Sequence, residues 1–131
     1  MTTKVVEVKE LKKGKLVMID DEPCKIMSIQ VAKTGKHGSA KARVEGMGIF
    51  DNRKRSFISP VESKTEIPIL ERKSAQVLAL MGKEVQFMDL ATYATFELPM
   101  PSKEEVKGAI IEGAEVEYIE ALGRKKIVRV R

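Results

Sequence analysis

The stretch "CKIMSIQV", residues 24–31, decides the fold class. Its residues alternate: Ile26, Ser28 and Gln30 share one face, and Met27, Ile29 and Val31 the other. A period of two belongs to a half-buried strand, not to a helix. The neighbouring segments read the same way. "KVVEV" (4–8) and "KLVMI" (15–19) lie upstream, separated by the turn "LKKGK" (11–15), and "DDEP" (20–23) supplies the next turn. Downstream come "AKARVEGMGIF" (40–50), the turn "DNRK" (51–54) and "RSFISPV" (55–61). Strands this short and this regular predict a small antiparallel barrel, with no useful helix before residue 70.

"SPVESKTEIPILERKS", residues 59–74, reads as a junction, because Pro60 and Pro68 cannot donate to a sheet ladder and belong at edges or linkers. A domain boundary is expected near Leu70, giving units 1–70 and 71–131. The second unit repeats the theme: "AQVLALM" (75–81), a hairpin of "EVQFMDL" (84–90) and "ATFELPM" (94–100), then "AEVEYIEAL" (114–122) and "KKIVRVR" (125–131) around Gly123. Between them, Ser102 with Glu105 three residues on makes a capping box after Pro101, and Gly113 is a stop, predicting one short helix from about Lys103 to Ile110. Three strands, a helix and two strands is the order of an OB-fold. In the last strand, Val128 and Val130 are expected on one face and Ile127, Arg129 and Arg131 on the other.

The chain has 131 residues, 43% of them apolar, which is too apolar for a disordered chain and right for one average or two small domains. No apolar run approaches the roughly 20 residues of a membrane span, and the N-terminus lacks the apolar core of a signal peptide, so a cytoplasmic protein is expected. The one cysteine, Cys24, reads as a small packed side chain; with one histidine it cannot complete a zinc site, and no metal is expected. The seven methionines are expected to fill barrel cores.

The net charge of +5 is unevenly placed. Residues 1–70 hold 14 Lys and Arg against 9 Asp and Glu, whereas residues 71–131 hold 10 of each. The window 31–55 alone carries Lys33, Lys36, Lys41, Arg43, Arg53, Lys54 and Arg55 against Glu45 and Asp51. Such a localised patch is the footprint of a polyanion binder, or else a solvated charged face.

Within that window, "KTGKHGSAK" (33–41) gathers three lysines and His37 among small residues. It is not a P-loop: Gly35 and Gly38 have the wrong spacing, no Ser or Thr follows Lys36, and strands flank it. "GKHG" satisfies the GXXG pattern of KH domains, but that clamp joins two helices. A general base needs an orienting partner, and no carboxylate is local to His37, so catalysis is not expected. What remains is a hairpin tip with Lys36 at its apex, between Gly35 and Gly38, which remove side-chain bulk on either side. It is either a presented lysine or an ordinary Gly-rich, polar tip.

"KTGKHGSAK" closely resembles the hypusine loop of the translation initiation factor 5A family, whose usual pattern is K-T-G-K-H-G-x-A-K. Some relatives carry His where this chain has Ser39. The resemblance extends over the whole chain, through the N-terminal strands, "DNRKRSF" and "FMDL", and the length fits archaeal members. It implies a non-enzymatic factor with an N-terminal SH3-like barrel and a C-terminal OB-fold. The lysine matching Lys36 would be converted to hypusine by deoxyhypusine synthase, which transfers an aminobutyl group from spermidine; no other cofactor is implied. Lys33, Thr34, Gly35, His37, Gly38, Ser39 and Lys41 would support it. The implied partners are the ribosome and the P-site peptidyl-tRNA, with relief of stalling at consecutive prolines. Arg43, Arg53, Lys54 and Arg55 are candidates to hold an RNA backbone, and a monomer is expected. The competing reading is a general RNA-binding module that works without modification.

Overall fold

The computed structural model describes residues 3–33 and 40–131. The chain divides into two compact units, Met1–Ile69 and Leu70–Arg131. Both are built of antiparallel strands, an SH3-like barrel followed by an OB-fold, as the sequence predicts.

In the first unit, β1 (Thr3–Glu7) runs through a 3₁₀ turn at Val8–Glu10 towards β2 (Leu16–Ile19). Then follow β3 (Glu22–Lys33), β4 (Ala40–Gly48), β5 (Lys54–Pro60) and β6 (Lys64–Pro68). Strands β2 to β5 form one sheet in sequence order, and β1 pairs with β6. The β2–β3 turn is Asp20–Asp21, both at positive φ (52° and 62°), the mirror-image turn whose twist suits a tight hairpin. Pro23 is not part of it; it lies in β3 opposite Met18. Val8, Leu11, Val17, Ile19, Cys24, Ile26, Ala42 and Val44 make the core, with Ile29 and Phe57 packed on it.

β6 corrects the reading of residues 59–74 as a plain junction. Lys64 to Pro68 pair with Glu7 back to Thr3. Pro60 and Pro68 do sit where a missing donor is harmless, on the edge strand β5 and at the end of a two-stranded sheet. The strand between them went unread because its partner stands at the opposite end of the unit's sequence.

β3 holds a second difference. Ile26 faces Gly46 and Ser28 faces Glu45, so Met27 is an extra residue opposite nothing. This bulge shifts the parity of the strand. Ile26 and Ile29, expected on opposite faces, both reach the core.

In the second unit β7 (Glu71–Met81), β8 (Glu84–Asp89), β9 (Thr95–Pro99), β10 (Glu115–Ala121) and β11 (Arg124–Val130) are ordered β11-β10-β7-β8-β9. Ala75, Val77, Val85, Phe87, Val106, Val116, Tyr118 and Ile127 form its core. The helix expected at Lys103–Ile110 is a single turn. Glu105 N and Val106 N both donate to Ser102 O, at 3.1 and 3.2 Å, and Glu105 N also reaches Ser102 Oγ at 3.3 Å. Half of the expected capping box therefore forms, with Ser102 Oγ in turn donating to Glu105 Oε1 at 3.3 Å, but Gly108 adopts φ +101°, outside any helix, and a Cβ there would lie 3.1 Å from Val130 Cβ. The one turn suffices to bury Val106 in the core.

A bulge also overturns the expected faces of the last strand. Glu117 pairs with Arg129 and Tyr118 with Ile127, leaving Val128 extra. Ile127 and Val130 thus both face the core, and Arg129 points away. The methionines depart from expectation as well: none of those described is buried, and Met27, Met81 and Met100 are exposed. The cores are filled by Val, Ile, Phe and Tyr instead.

Candidate functional site

The β3–β4 ladder continues well past the core. Val31 faces Ala42, Ala32 faces Lys41, and the last rung sets Lys33 opposite Ala40. Thr34, Gly35, Lys36, His37, Gly38 and Ser39 lie outside the described residues. What is described is their base: a two-stranded ribbon that places the Lys33 and Lys41 backbones on neighbouring strands, where the segment 34–39 leaves and returns.

Below that base, register builds an outward face across three strands. Reading from β3 through β4 to β5, Ala32, Lys41 and Pro60 form one row, and Gln30, Arg43 and Ile58 the next. Ser28, Glu45 and Ser56 follow, then Lys25, Met47 and Lys54. Residues directly opposite one another share a face. Lys25, Lys41, Arg43 and Lys54 therefore stand together, with Glu45 the carboxylate among them. The Met27 bulge is what lets Lys25 and Ser28 share that face; unbroken alternation would have set them on opposite sides. Arg43 Nε donates to Glu45 Oε1 at 3.2 Å, with both side chains about half exposed. Lys25, Lys41 and Lys54 have no ion pair among the described residues.

Arg53 and Arg55 belong to a different device. The turn from β4 to β5 closes with Gly48 N donating to Arg53 O and Asn52 N to Gly48 O. Asp51 sits at its centre. Its Oδ2 lies 2.8 Å from Arg55 Nη2, and its Oδ1 accepts from Arg55 Nη1 and from the backbone N–H of Arg53, both at 3.1 Å. The Arg55 guanidinium and the Arg53 N–H hold the Asp51 carboxyl down to about 2. A forked pair of this kind fixes the guanidinium plane. Arg55 is thus spent on the turn, whereas the exposed Arg53 and Lys54 are carried by it. Gly48 is required beneath, because a Cβ there would overlap the Asp51 carboxylate.

Cys24 lies under the same corner, fully buried, its Sγ donating weakly to Glu22 O at 3.4 Å. Burial pushes its thiol up, away from the reactive thiolate, and the Arg55 charge only partly opposes this. No group of His, Cys, Asp and Glu suited to a metal occurs among the described residues. No helix of the described residues is long and apolar enough to cross a membrane.

Of the residues singled out in the sequence, Lys41, Arg43 and Lys54 are gathered on one face by the fold. That Lys25, Met27, Met47 and Ser56 stand beside them was not anticipated. The available signal was the spacing of Ile26 and Ile29: two residues three apart in a strand reach the same core only when an extra residue lies between them.

Across this cluster runs an open cleft of about 330 Å³ on the outer face of the sheet, lined by Met27, Arg43, Glu45, Met47, Lys54 and Ser56 among others.

Comparison with known proteins gives a consistent picture. Residues 1–63 match the family model "Translation initiation factor 5A-like, N-terminal". Residues 69–131 match "Eukaryotic elongation factor 5A hypusine, DNA-binding OB fold". Translation initiation factor 5A of Methanothermobacter thermautotrophicus is 59% identical over 131 residues, covering 100% of this chain and 99% of that one. The Thermofilum pendens factor is 50% identical over the same length, covering 100% and 99%. Among solved structures, the translation initiation factor 5A of Methanococcus jannaschii superposes with a TM-score of 0.90 at 54% identity, covering 99% of this chain and 98% of that one. A family protein from Naegleria fowleri gives 0.79 at 30% identity, with 100% and 99% covered.

Proposed function

The chain belongs to the translation initiation factor 5A family, and from that premise we propose that it acts on the ribosome through a hypusine formed at Lys36. The observation that carries this reading is the nine-residue match of "KTGKHGSAK" to the family's hypusine loop, seated between strands whose ladder ends at Lys33 and Ala40. Deoxyhypusine synthase would extend Lys36 with an aminobutyl group from spermidine. The product is a long, thin arm with a second cationic amine. Lys33, Thr34, Gly35, His37, Gly38, Ser39 and Lys41 would keep that arm accessible and aligned.

The arm suits the phosphate-rich end of the P-site peptidyl-tRNA, where counterion release favours binding. Arg43, Arg53 and Lys54 hold backbone phosphates without reading sequence; Arg55 supports them through Asp51. Ordering the acceptor end brings a poorly placed peptidyl-proline to attack geometry. The gain is positional, and the ribosome performs the chemistry. The factor itself is then not an enzyme, and its place of work is the cytoplasm.

Intact mass of the protein from its own source, with the added mass mapped to Lys36, is the expected result. Folded Lys36→Arg protein should fail to rescue a proline-stalled ribosome. Equal rescue by Lys36→Arg and modified protein would sink the proposal. It would favour the second reading, an RNA-binding module that needs no modification, which the cationic face of β3, β4 and β5 supports by itself.

A further inference from the structure

The cleft beside Met27 has features that phosphate holding alone does not need. The bulge brings a thioether onto a face that carries Lys25, Lys41, Arg43 and Lys54, and there Met27 is 48% exposed. Met47 supplies a second one across β4. A sulfur edge is soft and polarisable and favours contact with a flat π-system. The volume of about 330 Å³ is at the small end of ligand sites, and one side is open. Lys25 and Lys54 flank Met47 in one row, and Arg43 stands one row beyond Glu45. Like charges gathered this way favour a polyanion. Glu45 then selects among polyanions. It repels an acidic peptide, but it accepts N–H groups from the exocyclic amine of a base.

We propose that this cleft takes one unpaired nucleobase of an RNA strand against Met27 and Met47, with Arg43 and Lys54 on the phosphates either side. The proposal rests on the reading of this sheet face as an RNA surface, and it is independent of the modification at Lys36. Ser56, opposite Glu45 at the cleft wall, is a further hydroxyl within the same row. The thioethers contact the face of any base, as stacking platforms do, and Glu45 favours a base that carries an exocyclic amine.

The test uses full-length protein with plain lysine at position 36 and isotope-labelled methionine methyls. A single-stranded RNA of about ten nucleotides, a typical single-strand site size, is titrated in parallel with tripolyphosphate and poly-glutamate. The Met27 and Met47 methyl signals are expected to move with RNA and to stay still with the other two, while Met100 of the second unit stays still throughout. Met27→Gln should weaken RNA binding several-fold at an unchanged salt slope. Lys54→Gln should weaken it and lower the slope of log K against log salt by about 0.7, the value for one single-strand phosphate contact. Still Met27 and Met47 signals, equal movement with tripolyphosphate or poly-glutamate, or unchanged affinity of Met27→Gln would each overturn the proposal. The mass at Lys36 and rescue of stalled ribosomes do not depend on these outcomes, so either idea can fail alone.

Discussion

Tyr118 Oη donates to Asp89 Oδ2 across 2.5 Å, tying β10 to the end of β8 inside the second unit. Asp89 is 4% exposed and is the charged residue buried in this core. Its other oxygen accepts from the backbone N–H groups of Ala91 and Thr92 and from Thr92 Oγ1. One carboxylate thus both closes the β8–β9 turn and anchors the core tyrosine. Tyr118→Phe removes one donor and leaves a buried oxygen unsatisfied, a loss of about 1–3 kcal/mol. Asp89→Ala removes every bond at once and is expected to cost more. Denaturant titration of both variants checks the order.

The same pair sets two edges to the pH profile. The hydrogen bond from Tyr118 and those from the 91–92 backbone hold the Asp89 carboxyl below its usual 3.8 against the opposing effect of burial. Its contribution is present above the unfolded value and is lost as pH falls through the lower folded one. Burial, then Asp89, push the Tyr118 phenol well above 10. Its contribution is present below pH about 10 and is lost as pH rises beyond. Melting of wild type is expected to fall off on both sides, and that of Tyr118→Phe to have a shallower alkaline limb, with Lys73, raised by its bond to Glu120, still contributing.

Asp51 governs an acid limb in the first unit. With the folded value held at about 2 against an ordinary 3.8, its contribution is full above about 4 and gone near 2. Asp51→Asn should melt lower than wild type at neutral pH, and the two melting curves should converge near pH 2. A gap that persists at pH 2 would show that the Arg55 fork does not depend on the charge.

Gly108 offers a test of sign. In a helix over 103–110, Gly108→Ala would stabilise by roughly 1 kcal/mol. At φ +101°, with Val130 Cβ 3.1 Å from the new methyl, the substitution destabilises instead, by about 1 kcal/mol or more. Thermal unfolding of this one variant separates the two conformations.

Gly46 stands where β4 crosses the first core. A Cβ there would meet Cys24 Cβ at 3.0 Å, Ile19 Cδ1 at 3.1 Å and the Lys25 carbonyl at 3.3 Å. Gly46→Ala is expected to cost about 1–3 kcal/mol by overpacking. Ile19→Val in the same background removes the Cδ1 contact and should recover part of the loss.

Most of the fold was legible because its strands are short, alternating and separated by turn residues. What escaped was pairing and parity. β6 could not be seen without β1, whose residues lie far away in sequence. The extra residues Met27 and Val128 each reversed the faces of what followed, so Ile29 shares the core face with Ile26 and Val130 shares it with Ile127, against simple alternation. The helix at 103–110 had a sound start in Ser102 and Glu105, but Gly108 stopped it after one turn. For the site, the sequence supplied the cations as a set. It could not tell that Arg55 turns to Asp51 or that Lys25 joins Lys54, since both facts depend on register.

Cys24 gives the molecule an internal clock. It is the one thiol in the chain, it sits at 0% exposure in the first unit, and the second unit has none. Its labelling rate under native conditions therefore records how often the first unit opens, with no background from elsewhere. Protection of Cys24 should fall in Gly46→Ala and Asp51→Asn, and its response to Tyr118→Phe and Gly108→Ala measures how far opening of the second unit reaches the first.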